Sequence, residues 1–374
     1  MKFIAIQSNI KEAISVIERA VAENANLPIL KNVLIRAADG VVSFIATNLE
    51  IATTFRVSAK IIEDGTITVP VGLLSNIISN IKSDRLNFET KGTVLDITTD
   101  NYNATVQGSA ADDFPPTPKI KNPENYIEIK GVFLKDAIHQ ASAAAQASDL
   151  RPELNSILYD FSIETMKLAA TDGFRLAEKT IAASAFTVKS STGEAEPFRM
   201  LVPLKTNFEL LRIVKDEEMV RIHFDDNQVL FTTEHAELIS RLIEGNFPDY
   251  TQIIPKKLVT EIVVETDEFS NGIKLASVFG QKNGEIEIKI QPSKKVIEIV
   301  SADMALGQNA YILPAKIKGE AMDVVFNWRY LSDPIKIINA KEVQLGFQEE
   351  ANPAIIRPAS DGSYFYIIKP ILKA

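Results

Sequence analysis

Apolar and polar positions along this chain follow two different periods, and the periods recur in a fixed order. Near the start, "SNIKEAISVIERAV" puts Ile10, Ala13, Ile14, Ile17, Ala20 and Val21 on one side at helical spacing. The pattern predicts an amphipathic helix, with Ser8 or Asn9 as its cap. "VFLKDAIHQASAAA" repeats the stripe with Phe133, Leu134, Ala137, Ile138 and Ala141. "EFSNGIKLASVF" repeats it more weakly with Phe269, Ile273, Ala276 and Phe279. A second kind of segment is a β-rich run that turns into a helix. "TITVPVGLLSNIISNI" predicts a helix opening at Pro70, with Leu73, Leu74, Ile77, Ile78 and Ile81 inward. "RMLVPLKTNFELLRIV" places Val202-Pro203 about 133 positions later and continues with Phe208, Leu211 and Val214. "DVVFNWRYLSDPIKII" is the third copy, capped by Asn327. Pro334 lies well inside it and should kink or shorten it, because proline lacks an N–H and crowds the preceding turn.

The third kind of segment alternates apolar and polar positions between turns, which is a strand pattern. "LNFETKGTVLDITTDNYNATVQG", "VRIHFDDNQVLFTTEHAELISRLIEG" and "VQLGFQEEANPAIIRPASDGSYFYIIKP" each predict strand, turn, strand, turn, strand. The first two end on matching pairs, Phe114-Pro115 and Phe247-Pro248. Helix, strand-to-helix and strand run thus recur with a period of about 125–130 residues. Proline-rich connectors, "FPPTPKIKNPEN" and "NFPDYTQIIPKK", separate the copies. The expected organisation is three α+β domains at residues 1–122, 123–253 and 254–374. One large α+β protein with coincidental patterns is the alternative.

Composition narrows the function. Of 374 residues 46% are apolar, and none is cysteine, so thiolate catalysis, disulfides and cysteine-metal sites are excluded. No stretch approaches a membrane span and no signal-peptide layout opens the chain, so a cytoplasmic protein is expected. The net charge of −9 argues against coating nucleic acid by bulk attraction, although a local basic lining remains compatible with it. His139, His223 and His235 lack metal-pair spacing, and no phosphate loop or nucleophile elbow is present. Asp112-Asp113, Asp225-Asp226 and Glu349-Glu350 sit in predicted turns. The most reactive-looking stretch is "AATDGFRLAEKT", where Thr171, Asp172, Gly173 and Arg175 crowd together. Asp-Gly between β-rich runs is a hairpin signal, which makes Asp172 a turn acceptor and leaves Arg175 exposed. A hydrolase pairing Asp172 with Asp160, and an adhesion or scaffold module without DNA, are the competing functions.

A resemblance covers the whole chain. "LPILKN", "ADG", "RPELNSILYDF", "ATDGFRLA", "FPDY" and the helix start "FNWRYL" occur in order within the threefold repeat. Together they resemble the bacterial DNA polymerase III β subunit family, the sliding clamps. The resemblance implies three repeated clamp domains per chain and a ring-shaped head-to-tail homodimer. Helices would line the central pore and β-sheets the outside. It implies no catalysis, no cofactor and no metal. The implied partners are double-stranded DNA, held topologically and without sequence preference, the polymerase III α subunit, the clamp loader, and other proteins carrying a clamp-motif peptide. That peptide would bring a Gln and terminal Leu/Phe anchors.

Carried over residue by residue, a peptide pocket between the second and third domains would use Leu154, Thr171, Gly173, Phe174, Arg175, Leu176, Pro248, Ile253, Ile367, Lys369, Pro370 and Ile371. Candidate DNA-facing cations are Lys11, Arg19, Lys135, Arg151, Lys205, Arg212, Lys215, Lys274, Arg329 and Lys336, with Glu12, Glu18 and Glu209 among them. Thr105 and Val106 at one end, with Val278 and Phe279 at the other, are the candidate dimer faces. The chain departs from the family pattern in places. Phe174 stands where a histidine is usual, Gln252 where a basic residue is, and Lys369 where an apolar one is. Asn24 stands at a usual basic DNA contact, and Lys373-Ala374 extends past the usual end.

Overall fold

A computed structural model of the chain describes residues 1–21, 27–146, 151–190, 197–280 and 284–372. Asn24, Lys373 and Ala374 lie outside the described residues. Backbone contacts gather the chain into two compact units. The first is Met1–Val132, Phe186–Ala195 and Lys205–Leu242; the second is Phe133–Ala185, Glu196–Leu204 and Ile243–Ala374. Sequence periodicity and compactness therefore divide the molecule differently, and the sheets explain why.

The first unit holds a five-stranded sheet in the order Ala59–Glu63, Lys2–Ile6, Arg85–Lys91, Val94–Thr98, Asn103–Gln107. Its nine-stranded sheet begins with Phe186–Lys189, Tyr126–Lys130, Met219–Phe224, Gln228–Thr232 and Ala236–Arg241. It continues into Ile51–Val57, Val41–Thr47, Asn32–Ala38 and Gly65–Pro70. The second unit repeats the plan. Phe198–Pro203, Ser156–Phe161, Thr165–Thr171 and Arg175–Ala182 continue into Tyr364–Ile368, Ala354–Pro358, Glu342–Phe347, Thr260–Glu265 and Lys316–Lys318. A four-stranded sheet, Gly307–Pro314, Val296–Asp303, Glu285–Gln291, Met322–Asn327, completes it. Each sequence repeat thus supplies one run of five strands and one of four. At two seams the last strand of a five-run pairs antiparallel with the edge of the preceding repeat's four-run, Ala236↔Phe55 in the first unit and Leu176↔Ile367 in the second.

Six α-helices are present among the described residues: α1 (Gln7–Ile17), α2 (Val71–Asn80), α3 (Gly131–Ala141), α4 (Leu204–Ile213), α5 (Thr266–Ser277) and α6 (Trp328–Ile337). In α1, Ile10, Ala13, Ile14 and Ile17 are buried as the stripe requires, but the cap position is Ile6 and no side chain caps it. Ser8 and Asn9 lie inside the helix, which begins directly off the first strand. In α3 the stripe holds except for Phe133, which is 47% exposed. In α2 Leu74 and Ile78 are buried while Leu73 is exposed.

The expected face of α4 is turned. Leu204, Thr206, Asn207, Leu210, Ile213 and Val214 are buried, and Phe208 is exposed. Polar Thr206 can be buried because its hydroxyl meets that of Ser240 at 2.7 Å, a partner apolar periodicity cannot reveal. The α5 stripe is weak in the sequence because Gly272 brings no side chain to it. A Cβ on Gly272 would stand 2.8 Å from the Ile299 and Tyr311 side chains, so the glycine lets the helix lie close on the sheet.

Candidate docking site

The stretch that looked catalytic is a turn built by its own side chains. Asp172 Oδ1 accepts from the backbone N–H groups of Phe174 (2.9 Å) and Arg175 (3.0 Å). The Thr171 hydroxyl donates to the Arg175 carbonyl at 2.6 Å and accepts from Gly173 N–H at 3.1 Å. Gly173 takes φ +90°, where a side chain would be strained. The same device stands in the first repeat. Asn48 Oδ1 accepts from Glu50 and Ile51 N–H, the Thr47 hydroxyl donates to the Ile51 carbonyl, and Leu49 takes φ +74°. In the third repeat Asp303 Oδ1 accepts from Ala305 and Leu306 N–H. This turn is part of the repeat, so its acid and hydroxyl are structural, and the paired carboxylate chemistry imagined for Asp172 has no footing. Asp160 is bound to Arg199 at 2.8 Å.

What sets the second repeat apart is Arg175, and here the expectation of an exposed arginine fails. The side chain is 8% exposed. Its Nε donates to Asp172 Oδ2 at 2.9 Å and its Nη1 to Asp333 on α6. The guanidinium lies 4.3 Å from the centre of the Tyr330 ring. Asp333 also meets Lys336 at 3.5 Å. Pro334 neither shortens nor ends α6, which has ten residues like α2 and α4. Proline leaves the Tyr330 carbonyl without its helical donor, and the Tyr366 hydroxyl donates to that carbonyl at 2.9 Å. Asn327 caps the helix as expected, its side chain accepting from Arg329 N–H. Tyr366, Tyr330 and Asp333 were not singled out from sequence, because only the fold brings them beside Arg175.

Of the residues expected to line a pocket, Leu176, Ile367 and Lys369 are joined to this turn by strand pairing and a backbone hydrogen bond. Leu176 and Ile367 face each other across the seam, both buried, and the Lys369 N–H donates to the Phe174 carbonyl at 2.9 Å. Pro370 and Ile371 follow, the latter tied to the Val325 carbonyl. Phe174 is 61% exposed and Lys369 is exposed. Leu154 is buried in a short 3-10 turn, Pro152–Leu154. Pro248 and Ile253 belong to the connector, which is pinned by Phe247 and Tyr250 packing over Leu158, Ala169 and Leu201. Tyr250 donates to Glu178 at 2.6 Å; burial, and then the neighbouring carboxylate, push its hydroxyl pKa well up, so it remains a donor. On the same connector Gln252 donates to Asp249, whose carboxyl is held below its ordinary range by hydrogen bonds from Thr251 and Gln252.

The two seams differ in one respect. Counting from each Phe-Pro pair, Ile120 and Ile253 are equivalent. Ile120 is 8% exposed, packed on Ala52 and Ile239 beside a cavity of about 250 Å³, and Gln228 holds the connector by the Lys119 carbonyl. Ile253 is 40% exposed. The second connector leaves uncovered an aliphatic side chain whose counterpart the first connector buries.

The other candidate residues lie on the helices and at the sheet ends. Lys11, Arg19, Lys205, Lys274 and Arg329 are exposed, and Lys135 is half-buried. Several of the cations are matched: Arg151 by Glu153, Arg212 by Glu209, Lys215 by Glu12 and Lys336 by Asp333. Thr105 is exposed on the edge strand Asn103–Gln107, its hydroxyl on Asp96 at 2.8 Å. Val106 faces the sheet core at 1% exposure, so it can offer a partner only its main chain. Val278 is 52% exposed just past α5, and Phe279 is half-buried beside it. Among the described residues no cluster of histidine and carboxylate side chains could hold a metal ion.

The repeat architecture has a counterpart among known proteins. The sequence matches the DNA polymerase III beta subunit N-terminal domain over residues 1–118, its central domain over 128–249 and its C-terminal domain over 251–372. The chain belongs to the DNA polymerase III beta subunit family. It is similar to the beta sliding clamp of Bacillus subtilis, 27% identical over 384 residues and 99% of each chain. It is also similar to that of Synechococcus elongatus, 25% identical over 383 residues and 99% of each. The crystal structure of the Bacillus subtilis sliding clamp superposes with a TM-score of 0.93 at 26% identity, covering 100% of both chains. The Pseudomonas aeruginosa clamp solved bound to griselimycin gives 0.93 at 22%, again over 100% of both, a likeness of fold.

Proposed function

We propose that this chain works as a sliding clamp whose three domains, 1–122, 123–253 and 254–374, form a closed ring with a second copy around duplex DNA. It is a processivity factor and not an enzyme. It tethers the replicative polymerase and receives loader and repair proteins in turn. No described helix is long and apolar enough to cross a membrane, and cytoplasmic work on the chromosome fits that reading.

The seam rule supports the dimer. Each five-run ends on the four-run of the preceding repeat, which leaves Asn103–Gln107 and Gly307–Pro314 as unmatched edges of their sheets. Head-to-tail pairing of these edges between two copies repeats the internal seam and removes both exposed edges. Val278 and Phe279 accompany the second edge; Thr105 and the main chain of Val106 lie on the first. Light scattering checks this: a mass near twice 41.3 kDa is expected. Topological binding suits a chain of net charge −9 whose helix cations are partly neutralised by neighbouring carboxylates. Loaded protein should stay on closed circular DNA and be lost when the circle is cut; equal loss from both would exclude encirclement.

The observation that carries the docking site is Ile253, left 40% exposed on its connector where its counterpart Ile120 is covered at the first seam. Two apolar anchors buried there contribute roughly 3–6 kcal/mol gross. A micromolar complex needs about 8 kcal/mol, so a few hydrogen bonds must add to them. A labelled peptide ending in Leu-Phe should bind the wild type, and Leu176→Ala should weaken it about tenfold or more. Unchanged affinity in that variant would move the site elsewhere.

A further inference from the structure

We propose that the first seam carries a binding position of its own, for a branched aliphatic residue of an extended peptide, and that the chain keeps this position shut by seating its own Ile120 there under a latch formed by Gln228. The position is separate from the docking site of the second repeat and does not depend on it.

The two seams correspond residue by residue. Ala52 pairs with Ile239 at the first and Leu176 with Ile367 at the second, each four positions past the turn side chain, Asn48 or Asp172. One strand further, Leu230 pairs with Ile239 and Ile355 with Ile367. Gln228 and Pro353, two positions before these, are therefore counterparts. Two exchanges set the first seam apart. A methyl group at Ala52 stands where the second seam has the larger side chain of Leu176, and Ile120 occupies the space, packing on Ala52 and Ile239 with Leu230 beside them. The Gln228 amide donates to the Lys119 carbonyl at 2.7 Å and to Asp225 Oδ2 at 3.0 Å, so it is held in place against the main chain next to Ile120. Pro353 has no side-chain donor that could do the same. The first seam thus grips an aliphatic side chain and the carbonyl that precedes it, two features that an extended peptide from another molecule also presents. A cavity of about 250 Å³ remains beside Ile120, with Thr54, Thr117 and Glu237 in its wall, so the seat has room for more than the isoleucine it holds. That volume is below the roughly 300–1,000 Å³ of a site for a drug-sized ligand, which restricts the occupant to a side chain and its backbone. Pro116, Pro118 and Pro123 stiffen the connector around Ile120 and lower the entropy lost in seating it. A tethered segment competes at an effective concentration on the order of millimolar, so a free peptide is excluded until Ile120 leaves.

A synthetic peptide of the connector itself, "PTPKIKNPEN" (residues 116–125), tests this on the full-length protein, with ligand-observed saturation-transfer NMR as the readout. Ile120→Ala should bind it with a dissociation constant on the order of millimolar, and the wild type at least about tenfold more weakly. Adding Ala52→Leu to Ile120→Ala should abolish binding, because it copies the filled second seam, whereas adding Leu176→Ala should leave binding unchanged. Gln228→Met breaks the latch without emptying the seat. Tryptic cleavage of the folded variant after Lys119 and Lys121 should then quicken at least about tenfold over wild type, while cleavage in the second connector after Lys257 keeps its rate. No binding by folded Ile120→Ala would overturn the binding position, and unchanged cleavage in Gln228→Met would overturn the latch. Binding that Leu176→Ala removes and Ala52→Leu spares would place the peptide on the second repeat and overturn the inference as well. The probe carries no Leu-Phe pair, so failure here leaves the docking site of the second repeat standing.

Discussion

Asp172 carries more of the turn than its exposed-loop setting in the sequence suggests. One oxygen holds two backbone N–H groups and the other holds Arg175, with the side chain 6% exposed. Asp172→Ala should destabilise the protein by about 3–5 kcal/mol, because it removes one partner of a buried ion pair as well as the turn's acceptor. Asp172→Asn keeps the acceptor and should cost less; urea unfolding separates the two. His223 offers a pH test. Burial lowers its pKa, and backbone groups of Pro123 and Asn125 only partly offset this. The folded chain therefore holds it neutral while the unfolded chain protonates near pH 6.5. Its contribution to stability is fully present above about pH 6.5 and is lost as pH falls below, because the unfolded state binds the proton first. Unfolding midpoints should drop between pH 7 and pH 5, and more shallowly in His223→Phe.

At the scale of elements, α6 shows how a fold absorbs a proline. The carbonyl of Tyr330 that Pro334 leaves without a donor is satisfied by the Tyr366 hydroxyl from the neighbouring strand Tyr364–Ile368. Tyr366→Phe should cost about 1–3 kcal/mol, since it orphans a buried acceptor. In a Pro334→Ala background the helix supplies its own N–H, so the same change should cost distinctly less. A double-mutant cycle by chemical denaturation measures that difference, and additivity would mean the two groups do not share the carbonyl.

At the scale of the whole molecule, the seams matter more than the repeats. The strand pairing that joins successive repeats inside the chain is the pairing expected between chains, so closing the ring needs no new kind of contact. Val278→Glu would place a charge into that contact. The dimer dissociation constant should rise at least about tenfold, equivalent to about 1.4 kcal/mol. Sedimentation across a concentration series reads it, and an unchanged dimer would exclude Val278 from the face.

The sequence by itself determined the threefold repeat, the existence and order of the helices, the Asn327 cap and the turn at Asp172. These depend on neighbours a few positions apart, and apolar periodicity, capping side chains and Asp-Gly record such neighbours directly. The family resemblance likewise pointed to the turn, the connector and the C-terminal strand as one site. Only the tertiary structure decided how those residues are held. It buried Arg175 against Asp333, a residue 158 positions away, where sequence left it exposed. It turned α4 so that Thr206 and Asn207 go inward and Phe208 outward. It left Ile253 open while covering its counterpart Ile120. Each of these is settled by a partner from a distant strand or helix. No local pattern encodes such a partner, because the same side chain is stable inside or outside according to whether that partner arrives.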